Sequence, residues 1–314
     1  MHIKKAIAND LSIPESLIDE AINVARTHVK VFRINKRSGG TRQIFHPSKK
    51  LKTIQYWLMH SIFSQIPVHN ASMAYRDGIS ILHNAKKHRL SRFFLKMDLK
   101  DYFPSISFDD FIPILRAWHK SEKPKWILDQ GAEQLIKMVC FYKNDRLAIG
   151  YPSSPIISNI VMGEFDSRVS ELIADEKYGK MIYTRYADDL VFSTNIKGSC
   201  VELRKEIINL VQTTVSPNIS VNHAKTRLGS STGGSASVTG LKVCSNGHIT
   251  IHKKQKDHIR LLLSLYKNDR LKPEEQMSLL GHLSYCHYVA PDFYTKLSKK
   301  YFKEIHELHI KNLK

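Results

Sequence analysis

The chain has 314 residues, 42% apolar and 25% charged, and these ordinary values exclude a largely disordered protein. Its net charge of +19 favours a polyanionic partner, nucleic acid before membrane. The N-terminus lacks the apolar region of an export signal, no segment is apolar enough to cross a membrane, and the four cysteines form no CxxC pair. We therefore expect a cytoplasmic protein with reduced thiols and no membrane partner.

The first 90 residues are predicted to contain helices and one hairpin. A capping box at 12–15, followed by apolar residues at helical spacing as far as Val29, predicts the first helix. Alternating residues on both sides of a Gly-Gly turn predict a β-hairpin over 31–45. A second amphipathic helix is expected over 51–62, and residues 84–88 are expected to be helical.

The rest of the chain alternates strand and helix patterns before it becomes helical. The predicted strands and helices are a buried strand over 93–98, a helix over 108–118, a longer helix over 159–174, two short strands over 181–186 and 190–193, and two more over 238–243 and 248–252. From residue 253 the pattern is helical, with breaks at Pro273 and Pro291.

Acidic residues stand at two strand ends. Asp98 closes the predicted buried strand, and Asp188 and Asp189 stand at the tip of the later hairpin. If the strands are neighbours, these carboxylates meet at one end of a sheet and offer the hard oxygen ligands that Mg²⁺ prefers. Two such ions can assist an in-line displacement at phosphorus. On the residues alone, ordinary surface turns with acids are an open alternative.

Three motifs around these acids carry a resemblance. YADD at 186–189 resembles the YxDD box of reverse transcriptases, and FLKMDLKDYFPSI at 94–106 is similar to the first catalytic box of that family. GYPSSP at 150–155 is similar to the turn that binds template and nucleotide, although Ile149 stands where many relatives have Gln. Further similar segments extend the resemblance over residues 30–310.

Two shorter motifs indicate a subfamily. NAKKH at 84–88 and VTG at 238–240 resemble boxes of bacterial retron reverse transcriptases. The resemblance implies an α+β right-hand polymerase fold, with an antiparallel palm sheet backed by helices. It places an N-terminal helix and fingers in 1–90 and the palm in 91–252, with an interleaved fingers segment at about 110–160. The helical thumb then occupies 253–314.

The resemblance also implies roles for individual residues. At the catalytic centre, the resemblance implies two Mg²⁺ ions bound by Asp98, Asp188, Asp189 and the Leu99 carbonyl. It also implies that Lys225 acts as general acid. For the incoming dNTP, the resemblance implies that Lys36 and Arg42 bind the triphosphate and that the ring of Phe103 excludes a 2′-OH. It also implies that Gly150 belongs to the turn that contacts the nucleotide. The alternatives are a core aromatic at 103, ordinary solvated charges for Lys36 and Arg42, and a solvated strand lysine at 225.

The remaining implied contacts are with RNA. The candidates are Asn84, His88, Val238, Thr239 and Gly240 from the two short boxes, and Lys253, Lys254, Arg260, Lys299 and Lys300 from the thumb, where they could follow duplex phosphates. Packing that shapes the RNA site is an open alternative for Asn84 and His88. Residues 238–240 are either a strand that contacts the RNA–DNA duplex or a joint between palm and thumb.

The implied function is reverse transcription of a dedicated structured non-coding RNA, which serves as template and as primer through an internal 2′-OH. The product is a branched RNA-linked DNA, used in anti-phage defence together with a separate effector protein. The alternatives are a group II intron-like or diversity-generating reverse transcriptase, and a catalytically idle RNA-binding protein with the same fold. The two short boxes weigh against the first alternative and the intact acids against the second.

Overall fold

A computed structural model describes residues 1–35 and 39–312. The helices are α1 (Ile3–Leu11), α2 (Glu15–Asn23), α3 (Lys49–Ser61), α4 (Ile81–Lys87), α5 (Tyr102–Ser105), α6 (Phe108–Glu122), α7 (Gln130–Cys140), α8 (Ser154–Val161), α9 (Gly163–Ile173), α10 (Ser199–Thr213), α11 (Lys253–Lys267), α12 (Pro273–Val289), α13 (Pro291–Lys300) and α14 (Phe302–Asn312). The strands are β1 (Val29–Asn35), β2 (Thr41–Pro47), β3 (Phe93–Asp98), β4 (Ile182–Tyr186), β5 (Asp189–Thr194), β6 (Arg227–Ser230), β7 (Ser235–Val238), β8 (Leu241–Cys244) and β9 (Ile249–Thr250).

The central element is a four-stranded antiparallel sheet in the order β4-β5-β3-β6. Strand β3 lies inside it, and Leu95 and Met97, on the same face, are fully buried. A strand covered in this way shows a nearly continuous apolar run, which is why the sequence pattern located it. β1 and β2 form a separate hairpin, as predicted, and β7, β8 and β9 form a third, small sheet.

Two hydrophobic cores divide the described residues. The first joins the N-terminal helices, one face of the four-stranded sheet and helices α6 to α10. The second joins helices α11 to α14 to the three-stranded sheet, and it reaches the four-stranded sheet through Phe94 and Val191. The three-stranded sheet therefore packs with the C-terminal helices. None of the helices described in 1–35 and 39–312 is both long and apolar enough to cross a membrane.

The structure corrects the start of the chain. The chain begins with a helix that was not predicted, α1. Its C-cap is Ser12, whose φ of 52° and ψ of 44° lie in the left-handed region. Ser12 therefore cannot cap the next helix, and the N-cap of α2 is Pro14, without a side-chain cap. That helix ends at Asn23, because the residues from Val29 onward join strand β1. The predicted capping box and the predicted extent to Val29 were both wrong.

Two further elements differ from the prediction. The helix expected over 159–174 is two helices, α8 and α9, which meet at Met162. The strand expected over 238–243 is broken by a two-residue turn, because Thr239 and Gly240 have φ values of 43° and 82° and Val238 pairs with Leu241. Positive φ at both central positions is the signature of a tight hairpin turn. The VTG box is thus a turn between strands β7 and β8.

Candidate active site

The sheet brings the three acidic residues together. Asp98, the last residue of β3, lies directly opposite Asp189, the first residue of β5. The backbone N–H of Leu99 donates to the carbonyl oxygen of Asp188 at 2.9 Å. A two-residue turn joins β4 to β5, with Ala187 at a φ of 56°. The end of one strand and the tip of the adjacent hairpin therefore form a single acidic site.

The carboxylate of Asp98 is buried and held by two side chains. Lys225 donates from Nζ to both carboxylate oxygens, at 3.1 and 2.9 Å. Asn222 donates from its side-chain amide at 3.1 Å, and its backbone N–H donates to the Asp98 carbonyl at 2.7 Å. The contact with Asp98 raises the pKa of the Lys225 ammonium. The segment from 222 to 225 thus fixes the direction in which Asp98 points.

The other two acids differ in their surroundings. Asp189 forms an ion pair with Lys96 at 3.1 Å. The pKa of the Asp188 carboxyl is raised by burial and then by the negative charges of Asp189 and Asp98. A bound cation would offset this repulsion, and three carboxylates with a nearby main-chain carbonyl are hard oxygen donors. The donor set therefore fits a divalent metal ion.

In the structure, two of these carboxylates form ion pairs with lysine ammonium groups. Among the residues described, 1–35 and 39–312, no three His, Cys, Asp or Glu side chains are grouped as a ready-made metal site. Asp98 and Asp189 instead each hold an ammonium group, from Lys225 and Lys96 respectively. A divalent ion at this site therefore competes with two lysines for its ligands.

An aromatic pair lies beside the acids. The rings of Phe103 and Tyr75 have centroids 6.3 Å apart. Tyr75 is 48% exposed and has a positive φ of 58°. Its pKa is raised to about 12 by partial burial first and by several neighbours, including Asp188, while Arg42 acts in the opposite direction. Phe103, Tyr75, Asp188 and Arg42 therefore share one neighbourhood, whereas the predicted triphosphate ligand Lys36 lies outside the described residues.

Gly150 contacts the hairpin of β1 and β2 closely. Its φ is +106°, and a Cβ at this position would lie 2.4 Å from the carbonyl oxygen of Phe45. The carbonyl of the preceding Ile149 accepts a hydrogen bond from the Phe45 N–H at 2.8 Å. The turn therefore uses its main chain to hold strand β2, and a side chain at position 149 is not needed for that contact.

The two short boxes contact one another. Asn84 and His88 are fully buried on and just after α4. Asn84 donates to the Thr239 hydroxyl at 3.4 Å, and Val238 is also fully buried. The two ring nitrogens of His88 lie 2.7 Å from hydroxyl oxygens of the four-stranded sheet. The packing alternative therefore fits Asn84, His88 and Val238, while Gly240 is exposed.

The predicted basic residues of the C-terminal helices are all on the surface. The exposed side chains are Lys253 and Lys254 at the start of α11, Arg260 in its middle, and Lys299 and Lys300 at the end of α13. Arg260 also pairs with Asp257 and lies over the ring of Phe293, 5.1 Å from its centroid. None of these five residues lies on the four-stranded sheet that carries the acids.

Sequence reasoning missed several residues of this site. No role was assigned to Asn222, Lys96 or Tyr75. Lys96 had a usable signal, because residues two apart on a strand point to the same face, and it precedes Asp98 by two. Asn222 and Tyr75 gave no such signal, because their positions depend on segments that return to the sheet from distant parts of the chain.

The fold defines the class of protein. It resembles the telomerase of Candida albicans in complex with a fragment of telomeric RNA, with a TM-score of 0.53 at 12% identity over 89% of this chain and 59% of the telomerase chain. An apo telomerase from Candida tropicalis gives a TM-score of 0.51 at 14% identity over 79% of this chain and 60% of the other. The architecture is the right-hand polymerase fold, and the sheet with the three acids is its palm.

Sequence comparisons identify the family. Residues 34–283 match the model of the reverse transcriptase (RNA-dependent DNA polymerase) family. The chain is 42% identical to the Retron Ec73 reverse transcriptase of Escherichia coli, over 88% of both chains, and 32% identical to the Retron Ec83 reverse transcriptase of the same species, over 88% of this chain and 87% of the other. The chain belongs to the retron reverse transcriptases and is an RNA-directed DNA polymerase. Reverse transcriptases in general use divalent metal ions.

Proposed function

We propose that this reverse transcriptase copies a dedicated structured non-coding RNA into a branched, RNA-linked single-stranded DNA, primed from a 2′-OH of that RNA. The observation that supports catalysis by this chain is the convergence of Asp98, Asp188 and Asp189 at one end of the sheet. The proposal extends to a cytoplasmic role in anti-phage defence with a separate effector protein, as the resemblance of the two short boxes to those of retron reverse transcriptases implies.

Two Mg²⁺ ions are proposed as the cofactor. Asp98, Asp188, Asp189 and the Leu99 carbonyl would hold them. When bound, the ions supply Lewis-acid activation of the attacking hydroxyl and stabilise the leaving oxygen. The primer hydroxyl would lose its proton to solvent, and its oxygen would form a bond to the α-phosphorus of the dNTP as the bond from that phosphorus to pyrophosphate breaks. Lys225, whose ammonium contacts Asp98, would donate a proton to the leaving pyrophosphate.

The nucleotide is proposed to bind between the hairpin and the aromatic pair. Arg42, exposed on β2, would contact the triphosphate together with Lys36. Phe103 is half-buried beside Tyr75, where its ring would occupy the space that a ribose 2′-OH requires. Gly150 would act by holding strand β2 in place through close main-chain packing.

RNA is proposed to bind along the thumb, helices α11 to α14. Its exposed basic side chains would contact duplex phosphates without reading sequence. Asn84, His88, Val238 and Thr239 would contribute by shaping the joint between thumb and palm, with the exposed Gly240 turn as the part of that joint within reach of RNA.

Primer extension tests the polymerase activity. The parent should incorporate each dNTP in the presence of Mg²⁺, and Asp188→Asn should not. Asp269→Asn is the matched control, because Asp269 is exposed in the thumb and its φ of 52° suits Asn. Equal incorporation by Asp188→Asn and the parent, or none by either, would remove the proposed catalytic role of these acids.

The nucleic acid that copurifies with the protein tests the finer proposal. A branched molecule that resists simple removal by RNase supports priming from a 2′-OH. Mixed cellular RNA without a branch contradicts priming from a 2′-OH and leaves only the RNA-directed DNA polymerase activity standing.

A further inference from the structure

A buried guanidinium lies directly behind the active site. Arg185, in β4, is fully buried three residues before Asp188. Its Nε donates to both carboxylate oxygens of Asp166 at 2.9 and 3.0 Å, and its Nη2 donates to one of them at 2.7 Å. Its Nη1 donates to Tyr102 Oη at 2.9 Å and to Asn159 Oδ1 at 3.2 Å. One side chain thus joins four separate elements of the palm.

The bond to Tyr102 leads to the proposed sugar gate. Tyr102 is 5% exposed and directly precedes Phe103 in the four-residue helix α5. The centroids of the two rings are 5.3 Å apart. In so short a helix, a hydrogen bond that fixes the Tyr102 ring also limits how far Phe103 can move.

The bond to Asn159 leads to the other ring of the pair. Asn159 Oδ1 also accepts from Ser72 Oγ at 2.8 Å, and its Nδ2 donates to the Ala74 carbonyl at 2.8 Å. Ala74 is followed by Tyr75, whose positive φ is costly for a residue with a bulky side chain. The amide therefore helps to hold the strained residue in place.

The two series of hydrogen bonds, through Tyr102 and through Asn159, lead to neighbouring rings beside the active site. Main-chain hydrogen bonds of 2.7 Å tie Arg185 to the segment 71–73 from both its N–H and its carbonyl. Phe103 and Tyr75, the ends of the two routes, face one another there. We propose that Arg185 is a positioning residue that sets the discrimination between deoxyribo- and ribonucleotides by fixing these two rings. This inference rests on the gate assigned to Phe103 under the proposed function.

A purely stabilising ion pair does not require this arrangement. Two nitrogens of the guanidinium already satisfy Asp166 in bidentate geometry, yet the third is directed at Tyr102 and Asn159. Tyr183 provides the contrast, since its hydroxyl donates to Asp166 at 2.7 Å but leads to neither ring. Tyr102 and Tyr183 thus differ in their connection to the gate while sharing burial and the same ion pair.

The test compares Tyr102→Phe with Tyr183→Phe in the full chain. The measured quantity is the ratio of kcat/KM for dNTP to that for the matching rNTP in primer extension. We expect the ratio to fall at least about fivefold in Tyr102→Phe, which removes the oxygen that accepts from Arg185, and to stay within about twofold of the parent in Tyr183→Phe. Thermal unfolding of both variants reports any common loss of stability.

Two more variants separate the possible failures. Phe103→Ala should lower the ratio by more than about tenfold, because it removes the ring itself. If Phe103→Ala lowers the ratio and Tyr102→Phe does not, the positioning role is overturned and the gate stands. If Phe103→Ala leaves the ratio at the parental value, the gate is wrong and the inference is overturned with it. Should Tyr102→Phe fail to fold, Ser72→Ala tests the second route, and an unchanged ratio there overturns the inference.

Discussion

Asp98 is oriented by two side chains from a single short segment. Lys225 and the amide of Asn222 both donate to its carboxylate, and the Asn222 backbone bonds to its carbonyl. Because the carboxylate is nearly buried, few water molecules can compete for these bonds. The direction of Asp98 is therefore set by the protein before a substrate arrives. In a site that is preorganised in this way, a small change at a neighbouring residue affects the reaction rate.

Asn222→Ala tests this arrangement. The variant keeps the charges of the site and removes one hydrogen bond to an ionised group, which is worth about 1.5–3 kcal/mol. We expect kcat/KM for dNTP incorporation to fall by about tenfold or more. His223→Ala is the control, because His223 is exposed next to Asn222 and is absent from the contacts of Asp98. Equal rates for the parent and Asn222→Ala would contradict the assignment.

Gly150→Ala tests the packing of the turn against β2. A Cβ would lie 2.4 Å from a main-chain oxygen, and φ is +106°, so the strand must move away. We expect a loss of about 1–3 kcal/mol in the free energy of unfolding, together with a higher KM for dNTP. Gly281→Ala, in the middle of α12 with open space around it, should instead gain about 0.5–1 kcal/mol. Similar changes in the two variants would contradict the argument.

At the scale of elements, α4 connects three parts of the molecule. His88 follows its last turn and lies within hydrogen-bond distance of Thr184 on β4 and Ser193 on β5, the two strands joined by the turn that contains Asp188. Asn84, four residues earlier, bonds to the turn between β7 and β8. The short motif at 84–88 therefore joins the hairpin of β4 and β5 to the three-stranded sheet that packs with the C-terminal helices.

The burial of His88 predicts a pH dependence of stability. Burial lowers its pKa from 6.5 to about 3 in the folded protein, whereas the unfolded chain takes up a proton near pH 6.5. The contribution of neutral His88 is therefore complete above pH 6.5 and declines as the pH falls towards 3. Between pH 7 and 5.5 the parent should lose roughly 1 kcal/mol more than His88→Gln in the free energy of unfolding by urea. Parallel pH profiles for the two proteins would contradict a buried neutral histidine.

The sequence predicted the elements whose patterns are local. The apolar run of β3 and the strands on both sides of Asp188 were located correctly, and so were the acids at their ends. The turn at 239 was missed because a β-branched Thr rarely adopts positive φ, and its hydrogen bonds with α4 could not be read from the local sequence. The same limit applies to Asn222 and Arg185, since their partners are distant in sequence.

At the scale of the whole molecule, the basic side chains are shared between the two parts of the chain that pack around separate hydrophobic cores. The segment from residue 253 carries 13 basic and 7 acidic residues, and the whole chain has a net charge of +19. Its helices share a core with the three-stranded sheet, and the first core holds the helices around the palm. An excess of basic side chains on the helices of the second core suits binding to a phosphate backbone, which these helices can follow without reading bases.

Salt dependence separates binding by the thumb from the effect of net charge. The double variant Lys299→Ala, Lys300→Ala should weaken binding to an RNA–DNA hybrid duplex and reduce the slope of log Kd against log salt by about two, one for each phosphate contact. The control is Lys4→Ala, Lys50→Ala, which removes the same charge from ammonium groups paired with Asp19 and Glu20. Its slope should remain near that of the parent. A similar reduction in both double variants would show that net charge, and not contact by the end of α13, determines the affinity.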